Sequence, residues 1–361
     1  MFYLGLLLPV CYVPGFVGAY IPTQWVVLSC LLPFALWRGG TFPPPALAGL
    51  ATLAWSALSL LWAPNPIDSI YGLWLFAIWA LSFWLGCTIT DFRPLWQGLA
   101  LGMAVNGAVA LIQWWGYVPV ETGTRISGLF FNSTLLGACA TLVIIACVSQ
   151  RQWLHALGCA PALALSGSRG AWAVLTLTLL TRYLRLRYVL LTAVLGAIAL
   201  LLAAGRFDSN SDTDRLLIWG MALRNLTPWG NGIGSFVAYL IYDGRMVYPE
   251  RAHNDYLQLL FELGLGAVPI LWLYVLALTQ RHSDHWPILF AVVLFSTFYF
   301  PLWAPIPAFI ACVVTGAMLH DRHLAWLGRV HGRYVDLSRH DPRPPRAPHR
   351  GGEALPVPPS A

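Results

Sequence analysis

The chain has 361 residues, of which 58% are hydrophobic and 10% charged, with a formal net charge of +6. A soluble domain carries about 25% charged residues, so an ordinary soluble fold is excluded. Apolar runs recur to about residue 320, and the expected fold class is an all-α polytopic integral membrane protein. The 21 basic residues, all arginine, are dispersed among short connections, so the positive balance does not describe a nucleic-acid-binding face.

In chain order, the opening "MFYLGLLLPVCYVPGF" lacks the basic start and small-residue cleavage site of a signal peptide, and reads as a retained first span. About twelve transmembrane helices are predicted: 1–17, 23–36, 45–62, 70–89, 94–114, 128–148, 153–166, 170–184, 188–204, 254–279, 286–303 and 307–320. Those at 23–36 and 153–166 are short for a bilayer, which leaves ten or eleven possible. The seven cysteines, at 11, 30, 87, 139, 147, 159 and 312, stand singly in apolar segments and read as small buried residues. No internal repeat or pair of matching broken helices of the transporter kind is evident.

Arginine sets the orientation. Arg38, Arg93, Arg151, Arg182, Arg185, Arg187, Arg281 and the tail share one side, which the positive-inside rule makes cytoplasmic, with both termini there. Residues 1–320 form the transmembrane domain; 321–361, rich in arginine and proline, are expected to be disordered. The opposite face carries "APNPID", "GYVPVETGTRIS", "SGSRG" and one long loop at about 205–253 with short amphipathic helices. Arg125, Arg169, Arg206, Arg215, Arg224, Arg245 and Arg251 fall on that face, where the rule expects few, and an anionic ligand would account for them.

Three stretches there carry chemistry. In "LSGSRGAW", Arg169 stands at a tight turn where a helix begins, which suits an anion because exposed N–H groups and the helix dipole point the same way. In "SDTDRLLIWGMALRNLTPWGNGIGSF", Leu216, Ile218 or Trp219, Ala222, Leu223 and Leu226 recur at helical spacing, with Arg215 in the first turn and a stop before Pro228. Asp212 and Asp214 imitate a metal-binding D-x-D but fit a helix start without one. "GNGIGS" imitates a phosphate loop, yet no strand precedes it. In "YPERAHNDYLQLLFELGLG", His253 is the sole histidine of the outer face and the residue best suited to exchange a proton near neutral pH. Asn254, Gln258 and Glu262 follow at i, i+4 and i+8 as one polar stripe. Asn254 or Asp255 is a candidate helix cap.

The ordered set resembles the O-antigen ligase and polymerase superfamily of bacterial envelope glycosyltransferases. The resemblance rests on Ser168-Arg169-Gly170; on Arg215 and Trp219 followed by Pro228, Gly230 and Gly232; and on His253, Asn254, Leu257, Gln258, Glu262 and Gly264, with "RISGLFFNSTLLGA" ahead of them. It covers about residues 125–280. It implies a polyprenyl-diphosphate-linked glycan donor, a periplasmic active site in the bacterial inner membrane, and transfer to an acceptor hydroxyl with inversion, without cofactor, nucleotide or required metal. By the same resemblance Arg169, Arg215 and Arg251 would hold the diphosphate and His253 would act on the acceptor, with Asn254, Gln258 and Glu262 as acceptor-side support. Lipid A-core is the leading acceptor, making the reading an O-antigen ligase; an O-antigen polymerase or a protein O-oligosaccharyltransferase is the alternative. A transporter of lipid-linked sugars would place ionisable groups at mid-membrane on several spans, and spans one to six hold none at their centres.

Overall fold

The computed structural model describes residues 1–11, 20–37, 46–117, 126–130, 132–183, 209–236 and 252–330. Their regular structure is all helix, with no strand among them. In chain order the helices are α1 (Phe2–Val10), α2 (Tyr20–Trp37), α3 (Ala46–Leu58), α4 (Pro66–Thr88), α5 (Arg93–Trp114), α6 (Ser133–Ser149), α7 (Trp153–Ser166), α8 (Arg169–Tyr183), α9 (Ser209–Arg224), α10 (Asp255–Leu263), α11 (Val268–Leu278), α12 (Trp286–Ser296) and α13 (Pro305–Val330). The chain divides into one unit of Met1–Arg322 and another of His323–Ala361.

Among the described residues, three helices are long and apolar enough to cross a membrane: Pro66–Thr88, Arg93–Trp114, and Asp255–Leu278 taken through its internal turn. Five shorter apolar helices lie at Thr23–Pro33, Leu47–Leu61, Ser133–Ser149, Trp153–Ser166 and Trp286–Ser296, on the spans expected there. The expected span 188–204 lies outside the described residues. The expected span 254–279 is present as Asp255–Leu278, with a 3-10 turn at Gly264–Ala267 between α10 and α11. Two expectations need correcting. The span 286–303 stops at Ser296: Pro301 has no N–H for a helical bond and disfavours helix in the residue before it. The boundary at 320 falls inside α13, which runs on to Val330 because "HDRHLAWLGRV" contains no proline; residues 331–361 lie outside the described set.

Two helices form the centre. Every residue from Leu135 to Cys147 of α6 is buried, as a helix apolar on all sides requires, and α6 packs on α5, α7, α8 and α12. The chain from Pro301 to Leu319, which includes most of α13, is likewise buried. Small residues permit the closest crossings. A Cβ at Gly86 or Gly316 would run into the backbone of Val313 or Phe83 where α4 meets α13, and one at Gly98 into Phe2 where α5 meets α1.

Buried polar groups on α5 hold the segment ahead of α6. Gln113 Oε1 accepts from the Gly128 N–H at 2.9 Å while its Nε2 donates to the Gly128 carbonyl at 3.2 Å, and Asn106 Oδ1 accepts from Leu129 N at 3.0 Å. Asn132 then caps α6 by accepting from Leu135 N at 2.9 Å.

The connections sort into two ends. At one end the Pro228–Phe236 loop packs on Ala63 and Asp68, Gly170 meets Phe298, and the His253 and Phe300 rings touch. At the other, Arg182 pairs with Asp284 at 3.4 Å, Arg322 donates to the Leu276 carbonyl, and Phe92 packs on His285.

Candidate functional site

His253 has φ = +52°, a left-handed backbone unusual for a residue other than glycine. Its neighbours impose this turn. The Ala252 N–H donates to Gln258 Oε1 at 3.1 Å, and the Ala252 carbonyl accepts from Trp219 Nε1 at 2.7 Å. On the other side, Asn254 Oδ1 accepts from Leu257 N at 3.0 Å and caps α10, while Asn254 Nδ2 donates to the Thr297 carbonyl. With both flanks tied, the chain turns sharply at His253 and presents its side chain. Strain of this kind, held by the surrounding structure, gathers at functional sites.

The imidazole is partly buried, 5.1 Å from the Phe300 ring at 70°, and its Nδ1 is buried without a hydrogen-bond partner. Burial first, and the positive Arg215 second, lower its pKa to about 4 from the ordinary 6.5. The imidazole is therefore neutral at pH 7. The depressed pKa stabilises the fold fully above pH 6.5, and this contribution is lost as the pH falls through about 4. Thermal unfolding in detergent should therefore show a larger loss of Tm between pH 7 and pH 4 for the wild type than for His253→Asn.

Arg215 lies on α9, which is joined to the histidine segment by the Trp219 bond and by a small core of Ile218, Ala222, Phe236, Ala252, Leu257 and Phe261. The apolar stripe expected of this helix is divided. Ile218 and Ala222 face inward, whereas Leu216, Leu223 and Leu226 are exposed; the first pair is four residues apart, and Leu216 and Leu223 share the opposite side. Arg169 begins α8 and is exposed, behind Ser168, whose Oγ accepts from Ala171 N at 3.3 Å. Gly170 sits against Phe298, two residues from the ring that covers His253. Arg251 lies outside the described residues, as do the side chains of Asp212 and Asp214. Among the described residues no group of three or more His, Cys, Asp or Glu side chains is arranged to hold a metal ion.

Gln258 and Glu262 occupy the expected stripe, but they face inward and are 0% and 1% exposed. Glu262 Oε1 accepts from Gln258 Nε2 at 3.0 Å and its Oε2 from Gly234 N at 3.0 Å, and Gln258 in turn holds Ala252. These two side chains thus link the glycine-rich loop to the residue before His253, and they support the histidine from inside the fold; neither lines an open cleft.

The glycine loop itself is a strap. Gly230, Gly232 and Gly234 all have φ between +72° and +93°, and a Cβ at any of them would collide with backbone or with Ala63. Its N–H groups are already engaged: Gly230 with Thr227, Asn231 with Phe261, Gly232 with the Glu262 carbonyl, Ile233 with Ser59 Oγ and Gly234 with the Glu262 carboxylate. Its amides are thus occupied within the fold, in agreement with rejection of the phosphate-loop likeness. Trp62 and Trp55 complete the strap by donating to the carbonyls of Gly230 and Leu263.

Sequence reading missed the connection at 297–304. It lay inside an expected span, yet Thr297, Phe298 and Phe300 join Asn254, Gly170 and His253 into one site. Two prolines, Pro301 and Pro305, in an otherwise aromatic run were the available signal.

Fold and site together define a protein that is helical and strand-free among the described residues, with three helices long and apolar enough to cross a membrane, carrying a desolvated histidine near an arginine. No family model matches the chain, and a search of the curated proteins returns no match.

Proposed function

We propose that the protein is a membrane glycosyltransferase that moves a glycan from a polyprenyl-diphosphate donor to an acceptor hydroxyl. The reading rests on one observation: Arg215 acts electrostatically on His253, with the peptide group before the histidine bonded to Trp219 on the same helix as Arg215. A permanent cation beside a neutral, desolvated base is what transfer from a diphosphate needs.

In this mechanism Arg215, with Arg169 and Arg251, holds the donor diphosphate through planar, charge-assisted hydrogen bonds. His253 takes the proton of the acceptor hydroxyl. The acceptor oxygen forms its bond to the anomeric carbon as the carbon–phosphate oxygen bond breaks, and the electron pair leaves with polyprenyl diphosphate. Attack from the opposite side inverts the anomeric configuration. The diphosphate also answers the low basicity of the free histidine, since negative charge beside Arg215 raises the imidazole pKa toward the working pH.

Resemblance of the three motifs to the O-antigen ligase and polymerase superfamily supports lipid A-core as the acceptor, and the same chemistry serves a polymerase or a protein O-oligosaccharyltransferase. The reading includes about twelve spans in the bacterial inner membrane, cytoplasmic termini and a periplasmic site, an orientation that rests on the arginine pattern. It requires no nucleotide, metal or other cofactor.

Arg215→Ala should weaken retention of a radiolabelled polyprenyl-diphosphate oligosaccharide by nanodisc-embedded protein about 10–100-fold, the equivalent of one lost charge-assisted hydrogen-bonding group. Arg215→Lys should fall between, keeping the charge without the fork. Unchanged retention in Arg215→Ala would remove the diphosphate from this arginine.

A further inference from the structure

We propose that Asp255 is a positioning residue whose buried carboxylate clips the Ser296–Leu302 connection shut, and so seats the aromatic wall of the site against His253. The inference deepens the assignment of His253 as the reacting base and rests on it.

Asp255 is 0% exposed, in the first turn of α10. Its Oδ2 accepts from Ser296 Oγ at 2.9 Å and from the Leu302 N–H at 3.1 Å. One oxygen thus holds both ends of a connection that proline keeps from becoming helix. The residues between those two anchors make the contacts that assemble the site. The Thr297 carbonyl accepts from Asn254, Phe298 packs on Gly170 beside Arg169, and the Phe300 ring covers His253. A helix cap does not require this, because Asn254 already caps α10. Nor does general acid–base chemistry at Asp255 itself, since the carboxylate is fully enclosed. What it supplies is geometry: the same first turn that carries His253 at its edge also holds the wall that desolvates it.

The test uses full-length protein in nanodiscs and needs no substrate. Diethyl pyrocarbonate reacts with neutral imidazole, so the pH dependence of labelling at His253, read by peptide mass spectrometry, gives its pKa and its exposure together. Among the described residues the charged group that acts on this imidazole is Arg215 on α9; Asp255 lies two residues along on α10, Arg169 begins α8, and the 297–304 connection carries Tyr299 as its titratable residue. Loss of the Asp255 negative charge alone would lower the pKa of His253, whereas release of the wall hydrates the ring and raises it.

The wild type should label slowly with a midpoint near 4. Asp255→Ala should label several-fold faster, with the midpoint moved up toward 6.5. Ser296→Ala, which removes one of the two bonds and keeps the carboxylate, should shift it less and in the same direction. Labelling of His285, at the other end of the bundle, should not change in any of them. A downward shift, or unchanged labelling in Asp255→Ala, would overturn the proposal. If that variant does not fold, unchanged labelling in Ser296→Ala would do so. Should no glycan transfer be found while the upward shift is seen, the function of the site is wrong but the clip stands.

Discussion

His253→Asn is expected to reduce glycan transfer by about 10²–10⁴-fold, the contribution of a general base, while the protein remains folded. The choice of asparagine follows from the backbone. At φ = +52° most side chains are strained, and asparagine is several-fold enriched in this region. The substitution removes the base and leaves the turn. His253→Ala removes the same base but places at this turn a residue outside the Asn, Asp and His set enriched there, so its loss of activity would carry some loss of fold. The useful comparison is therefore kcat against Tm for both variants: equal activity losses with a lower Tm only in alanine is the expected pattern. A His253→Asn protein that transfers glycan at the wild-type rate would dismiss the histidine from the chemistry.

The largest effect on stability belongs to Glu262→Ala. The carboxylate is 1% exposed and receives two donors, Gly234 N and Gln258 Nε2. Removing it leaves both unsatisfied in a dry interior, at about 1–3 kcal/mol each, or roughly 2–6 kcal/mol together. Glu262→Gln does not rescue, because its NH₂ group would face one of the two donors. Both variants should be less stable in denaturant or thermal unfolding, with the loss in Glu262→Ala a large part of the stability of an ordinary domain. Activity should fall with the fold. A stable Glu262→Ala protein that has lost transfer would instead make the carboxylate part of the chemistry and restore its expected acceptor-side role.

Local polar and apolar patterning made most of the helices legible. Trp153–Ser166 and Arg93–Trp114 lie where the apolar runs placed them, since each run is bounded by polar or helix-breaking residues. The i, i+4, i+8 stripe on α10 was equally plain. Its direction was not: periodicity shows that Asn254, Gln258 and Glu262 share a face, but only packing shows that the last two face a glycine strap rather than a cleft. The break at Gly264 escaped notice for a similar reason. Apolar composition continues through it, while the cause is a distant contact with Pro228, whose carbonyl accepts from Leu265 N at 2.8 Å. Asp255 shows the same limit most sharply. In sequence it is a second candidate cap next to Asn254; its partners, Ser296 and Leu302, lie far along the chain and leave no mark near it.

One experiment addresses the proposed transferase before any other: purified protein in nanodiscs is given a polyprenyl-diphosphate-linked oligosaccharide, EDTA and no nucleotide, with lipid A-core, additional donor or a pilin-like protein as acceptor. Release of polyprenyl diphosphate with the glycan joined to one acceptor, lost in both Arg215→Ala and His253→Asn, is the predicted result and would name the branch. Absence of transfer to every acceptor, with the donor moving between leaflets of a sealed vesicle, would contradict the transferase and make the protein a carrier of lipid-linked sugars.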